Sequence, residues 1–275
     1  MREAPQPNYD YDVKKVVKAY EKALKDVQQE LNSLFLTDFQ RAQLLVTERN
    51  IRNILSDISK FSDEWSSVAI SKSATEGIAS TIYSLGLAPT YEEALKIARY
   101  NKVNKRLVAA AIADTQTDLL AVTQNIERQA KLAIRRATAE AMRHTLTRGN
   151  NATQDIAKEI RQRIVQATDV AIIDSRGRRW KLSTYTDMLA REKMKQAHQE
   201  ASINEALSEG SLYGRISRHG AKDKCRLWEG KIVKLVADAP GDYPYLYSIP
   251  KTEFNHVGCK HLITPLRDPS KYNNL

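Results

Sequence analysis

Cysteine is scarce in this chain, with two residues, Cys225 and Cys259, among 275. That excludes a disulfide-dense secreted scaffold and makes a reducing compartment the expected setting. Long hydrophobic runs are lacking as well. No stretch approaches the ~18 apolar residues of a membrane span, and the opening Met1-Arg2-Glu3-Ala4-Pro5 has no apolar core of a signal peptide. The expectation is a chain with no membrane partner, whose Asn151-Ala152-Thr153 sequon carries no sugar. Also missing are a Gly-rich phosphate loop, a Gly-x-Ser-x-Gly elbow and a His-Glu-x-x-His helix. The chain is therefore not expected to be an enzyme.

What is present suffices to bury a core. Hydrophobic residues make up 42% and charged residues 28% of the sequence, the ordinary balance of a folded, water-exposed protein. The length fits one large domain or two modest ones. Basic side chains outnumber acidic ones, 43 to 33, giving a formal charge of +10. That surplus favours a polyanionic partner, nucleic acid first and an acidic protein surface second.

Helical periodicity dominates residues 1–168. After a loose arm over 1–8, Val13, Val17, Tyr20, Leu24, Val27, Leu31 and Leu34 alternate steps of four and three. This seam predicts a long amphipathic helix, either offered to a partner chain or packed on its own neighbours. Thr37-Asp38 reads as the start of a second helix, lined by Leu44, Glu48, Ile51, Leu55 and Ile58. Residues 61–85 read as a third, with Trp65, Val68 and Ile82 on its apolar side. Gly86 ends that helix, and Pro89-Thr90 opens a short one over 91–100.

Residues 114–146 carry the seam Leu119, Val122, Ile126, Ala130, Ala133, Ala137 and Ala141. Small residues at core spacing let helix backbones approach closely, which predicts a central helix. Its outward side bears Arg128, Lys131, Arg135, Arg136 and Arg143 against Glu127 and Glu140. Such a stripe can track phosphates or simply be solvated. Gly149-Asn150-Asn151 interrupts the helix, and Thr153 caps another through Val165.

Past residue 168 the texture changes, and residues 169–275 read as a small domain of mixed structure. Val170-Ala171-Ile172-Ile173-Asp174, Ser175-Arg176-Gly177 and Arg178-Arg179-Trp180-Lys181-Leu182 read as strand, turn and strand. Ser183 or Thr184 caps a helix reaching about Glu209, which Gly210 closes. Short strands follow at 212–217, 231–235 and 260–266. The predicted fold class is α+β: long amphipathic helices, then a small domain with short antiparallel strands. Trp180 and Trp228 are expected in that small domain's core. The tyrosines of Tyr243-Pro244-Tyr245-Leu246-Tyr247 suit either an interface or the anchoring of their own loop.

Both cysteines and three of the five histidines fall between Ser217 and His261. Cys259 and His261 sit two apart at the start of a predicted strand, so their side chains project from one face. Cys225 and His219, in the loop after another strand, could complete a tetrahedral structural zinc site, with His256 the rival for the fourth position. A clip has a mechanical rationale, since 236–255 is long, carries Pro240, Pro244 and Pro250, and has no helical or strand period. A buried thiol pair and a disulfide are the competing readings. A nuclease reading, with His256 and His261 activating water on a metal, lacks a recognisable acidic set, because Asp223, Glu229 and Glu253 are scattered.

Five short motifs in order carry a resemblance: Asp174-x-x-Gly177-Arg178-x-Trp180-x-Leu182, Tyr185-x-x-Met188-x-x-Arg191, Ser217-x-His219, Cys225-x-x-Trp228-x-Gly230-Lys231 and His256-x-x-Cys259-x-His261. Over roughly 169–266 the chain resembles tailed-phage minor capsid proteins of the phage minor capsid protein 2 group, related to the Mu F-like head proteins. Two departures stand out. Glu192 follows Arg191 where relatives often have Thr, and Cys225-Arg226-Leu227-Trp228 lacks a second cysteine found in some Mu F-like members, leaving only a mixed His/Cys metal set. The resemblance implies a non-enzymatic head protein in the virion, assembled in the host cytoplasm. It would sit inside the capsid near the portal vertex and act in head assembly, packaging or DNA delivery. The implied partners are the portal protein, other head or scaffold proteins and packaged double-stranded DNA. Non-specific DNA contact is expected through Arg128, Lys131, Arg135, Arg136, Arg143, Arg176, Arg178 and Arg179.

Overall fold

The computed structural model describes residues 2–33, 41–148, 172–173 and 177–272. The helix start expected at Thr37-Asp38, the break at 149–151, the helix opened by Thr153, the boundary near residue 168 and Arg176 all lie outside the described residues. The described elements are α1 (Asp10–Asn32), α2 (Arg41–Ser84), α3 (Tyr91–Ile97), α4 (Lys102–Arg148), β1 (Ile172–Ile173), β2 (Arg179–Trp180), α5 (Leu182–Ser208), β3 (Tyr213–Ile216), β4 (Ile232–Lys234) and β5 (Ile263–Leu266). The fold is α+β, as expected, with a helical N-terminal part followed by a small antiparallel sheet. Among the described residues no helix is long and apolar enough to cross a membrane. The chain divides into two compact units, one made of Met1–Asp10, Ser67–Asp114 and Ala190–Leu275, the other of Tyr11–Ser66 and Thr115–Leu189.

Among the described residues the second of these units is mainly helical and carries the β1–β2 hairpin. Along α1 the buried side chains are Val13, Val16, Tyr20, Ala23, Val27 and Leu31. The seam is real but steps by three and then four, so Val16 and Ala23 take the places expected for Val17 and Leu24, which are half-buried. Its burial within the chain answers the question of what covers it. The Tyr20 hydroxyl donates to the Leu119 carbonyl at 2.8 Å, and the Ser62 hydroxyl donates to Tyr20 at 3.0 Å. Trp65 Nε1 donates to the Asp12 carbonyl at 2.8 Å. The buried Tyr20, Ser62 and Trp65 polar groups are tolerated because each finds a partner. On α4, Leu119, Val122, Ile126, Ala130 and Ala133 are buried as the seam predicts. Ile172 pairs with Trp180 and Ile173 with Arg179 in an antiparallel hairpin.

Two expected helices are one. From Arg41 to Glu76 the sequence has neither glycine nor proline, so nothing stops α2 near residue 60. Val68, expected on its apolar side, is 66% exposed, while Ala69 and Ile70 are buried. Gly86 ends α2 as predicted, at φ +75°, with the Leu87 N–H on the Ile82 carbonyl and the Gly86 N–H on the Tyr83 carbonyl. Thr90 caps α3 by accepting the Glu93 N–H at 3.2 Å. Helix α4 starts earlier than the seam predicted, at Lys102, where the Asn101 side chain accepts the Asn104 N–H at 2.8 Å.

The unit holding the sheet contains a close contact between two helix backbones. A Cβ placed on Gly77 of α2 would lie 2.1 Å from the His198 carbonyl oxygen of α5. Strand β3 is central, antiparallel to β4 and to β5, in the order β4-β3-β5. Ile203, Ile216, Val233, Phe254 and Ile263 are core residues here, with Trp228 packed against them. Trp180 is not among them and belongs to the other unit. Residues 236–255 hold to the sheet through the Lys234 N–H on the Pro244 carbonyl at 2.8 Å and the Tyr213 hydroxyl on the Pro240 carbonyl at 2.7 Å. Tyr243 meets Tyr213 edge-on, whereas Tyr247 is exposed.

Candidate metal centre

The fold brings three of the five candidate ligands into one buried group. Cys225 lies on a 3-10 helix, Lys224–Trp228, started by Asp223, whose carboxylate accepts the Cys225 N–H. Cys259 and His261 precede β5, which begins at Ile263, so they stand on irregular backbone and not on the strand face expected. The two sulfurs are 3.7 Å apart and the Cys259 sulfur is 3.3 Å from His261 Nδ1. All three residues are buried, and their donor atoms lie within 4.8 Å of one another. Both cysteines are free. A disulfide requires a separation of about 2.0 Å, so the sulfurs are neighbours and not bonded.

The ring of His261 is held from behind by a carboxylate that spacing did not single out. Glu229 Oε1 accepts the backbone N–H groups of Ala221 at 2.9 Å and His219 at 3.0 Å, and faces His261 Nε2 at 3.2 Å. The Ala221 N–H first, then that of His219, pulls the Glu229 carboxyl down to about 2. Glu229 is therefore ionised near neutral pH and can only accept, so Nε2 of His261 carries the proton. Burial lowers the pKa of His261 and favours the neutral ring. Nδ1 then has a lone pair facing the Cys259 sulfur. Burial first, then the neighbouring Cys259, pushes the Cys225 thiol up to about 12, while the Asn255 backbone N–H works in the opposite direction. Asn255 adopts a left-handed φ of +54°, which its short polar side chain tolerates.

The other two candidates fall in adjoining groups, His219 with Glu229 and His261, and His256 with Asp223 and Cys225. His219 is exposed, and its ring lies 4.1 Å from that of His261, centroid to centroid. Its polar contribution is the backbone N–H given to Glu229. His256 Nε2 sits 3.1 Å from an Asp223 carboxylate oxygen, and its Nδ1 is 2.9 Å from the Val257 carbonyl. Asp223, Cys225 and His256 form a second set of donors within 4.8 Å of one another. In the sequence Asp223 and Glu229 read as scattered, because their roles appear only once the β3–β4 and β4–β5 connections are folded together.

Among the candidate DNA-contacting residues, Arg128, Lys131, Arg135, Arg136 and Arg143 are all exposed on α4. At ~100° per residue they fall within about 140° of the helix circumference. Lys131 pairs with Glu127 at 2.6 Å. Arg178 and Arg179 are exposed at the hairpin, with the Arg178 guanidinium 5.1 Å from the Trp180 ring centre.

Comparison with curated proteins and with solved structures gave no match. A protein-family model, phage minor capsid protein 2, matches residues 13–266. The match takes in the helical part as well as the region of short motifs, so this chain belongs to the phage minor capsid protein 2 family.

Proposed function

We propose that this virion protein is a structural component bound near the portal inside the capsid, where it contacts packaged DNA without sequence preference and acts in head assembly, packaging or delivery. Membership of a minor capsid family supports the virion setting and other head components, the portal protein among them, as partners. The observation that carries DNA contact is the exposed arc of Arg128, Lys131, Arg135, Arg136 and Arg143 on α4, joined in the same unit by Arg178 and Arg179. Cations spread along a helix match a line of phosphates, and phosphate contacts carry no sequence information.

The test is a salt titration of duplex binding. Affinity should fall more than about a hundredfold between roughly 50 and 200 mM salt and be indifferent to sequence. Replacing Arg128, Arg135 and Arg136 with glutamine should flatten the logarithmic salt slope by about three. Salt-independent or sequence-specific binding would overturn DNA contact by this arc, and failure to co-purify with portal rings would overturn the portal assignment. The rival reading is a zinc-dependent nuclease using His256 and His261. It is disfavoured because His261 is 1% exposed, leaving no path for a phosphodiester. Plasmid nicking that disappears on chelation and in H256A would establish it instead.

A further inference from the structure

We infer that Cys225, Cys259 and His261 Nδ1 bind a thiophilic divalent cation, zinc by its chemistry, as a clip joining the 3-10 helix Lys224–Trp228 to the segment that enters β5. The inference stands apart from the DNA reading and does not need it.

The geometry of the donors points to it first. Two sulfurs each about 2.3 Å from a tetrahedral zinc are about 3.8 Å apart, and a sulfur and an imidazole nitrogen about 3.6 Å. The protein holds its sulfurs at 3.7 Å and its sulfur–nitrogen pair at 3.3 Å. Two sulfurs and one nitrogen are a soft donor set that suits zinc and does not suit magnesium or calcium.

The second observation is independent of the first. A carboxylate behind a histidine, bonded to the ring nitrogen that faces away from the metal, is the usual device for fixing a ligand's tautomer. Glu229 meets His261 in that manner at 3.2 Å, and is itself pinned by the Ala221 and His219 N–H groups. Three hydrogen bonds thus converge to aim one lone pair at Cys259.

The same geometry sorts the remaining candidates. A ring nitrogen of His219 lies within 4.8 Å of the Glu229 and His261 donors but shares no group with either cysteine among the described residues, and its main chain pins Glu229, so it supports the site without ligating. Asp223 and His256 lie within 4.8 Å of the Cys225 donor, but in a second group that includes neither Cys259 nor His261, so a water molecule would complete the tetrahedron. On coordination each thiol gives up its proton, and the thiolate pair offsets the charge of the cation. The clip closes the 34-residue separation between the cysteines, which spans the long irregular segment 236–255.

The experiment uses the full-length protein purified under reducing conditions. Elemental analysis should find about one zinc per chain. Replacement of the metal by cobalt(II) should produce a sulfur-to-metal charge-transfer band and the intense visible absorption of a four-coordinate site. C259S should lose both. H219A should keep one metal and the bands. E229Q should keep the bands but bind about 10- to 100-fold more weakly. Because a cysteine variant can fail to fold, the cobalt spectrum of the unaltered chain is decisive on its own. A cobalt titration without the sulfur band, or zinc retained in full by the C225S/C259S double variant, overturns the site. E229Q binding as tightly as the unaltered chain overturns the role of Glu229.

Discussion

The unit formed by Tyr11–Ser66 and Thr115–Leu189 and the unit that holds the sheet are stabilised in different ways. In the first, burial follows a helical period: Val13, Val16, Tyr20 and Val27 on α1, and Leu119, Val122 and Ile126 on α4, recur every three or four residues. Polar groups inside it, Tyr20 with Ser62 and Thr123, fasten a contact the period has already made. In the second, a few unrepeated placements decide the arrangement. Gly77 lets α5 press its backbone on α2, and Glu229 gathers two main-chain N–H groups and a ring. Regular burial spreads stability over many residues, whereas singular contacts concentrate it in a few.

If that contrast holds, the largest loss should come from a single methyl group. We predict that G77A, whose new carbon would overlap the His198 carbonyl, destabilises the protein by about 3 kcal/mol or more, because backbone on both sides has to move. Calorimetry or urea unfolding would measure it, and a loss under about 1 kcal/mol would mean the crossing relaxes easily.

The next effect is set by pH in the same unit. His198 is buried, with Nε2 3.4 Å from the Ser80 hydroxyl, and burial lowers its pKa from 6.5 to about 4. Between these values the unfolded chain takes up a proton that the fold excludes. Its contribution is therefore complete above about pH 6.5 and is lost as the pH falls toward 4. The predicted loss from this group between about pH 7 and pH 5 is about 2 kcal/mol. Parallel measurements on H198Q isolate the effect, and an unchanged pH profile in that variant would refute it.

The smallest effect belongs to the periodic unit. Y20F removes one hydroxyl and leaves the ring packed, while Ser62 keeps its bond to the Ile58 carbonyl and Thr123 its bond to the Leu119 carbonyl. We predict a loss of about 1–2 kcal/mol by denaturant unfolding. A loss larger than that of G77A would reverse the comparison.

The same contrast accounts for what could be read from the sequence. The seam of α4 was legible because Leu119 to Ala133 repeat, and Gly86 and Thr90 were legible because each has a single stereochemical use at a helix end. The register of α1 was misplaced since Val16 and Val17 both fit an apolar stripe and only the neighbours choose. The junction expected near residue 60 is absent from α2, since Ser59 and Lys60 are polar but neither interrupts a helix. At the candidate metal centre, residue type alone picked out Cys225, Cys259 and His261. Glu229 reads there as one of several scattered acids because its partners, Ala221 and His261, are brought to it by loops without a period.

The crossing at Gly77 also limits how this protein can vary. A surface lysine can drift to arginine or glutamate with little penalty, but position 77 admits one letter while the His198 carbonyl stays where it is. Relatives that keep the crossing should carry glycine at that point even where both helices have otherwise diverged. A relative with a larger residue there should show the two helices farther apart.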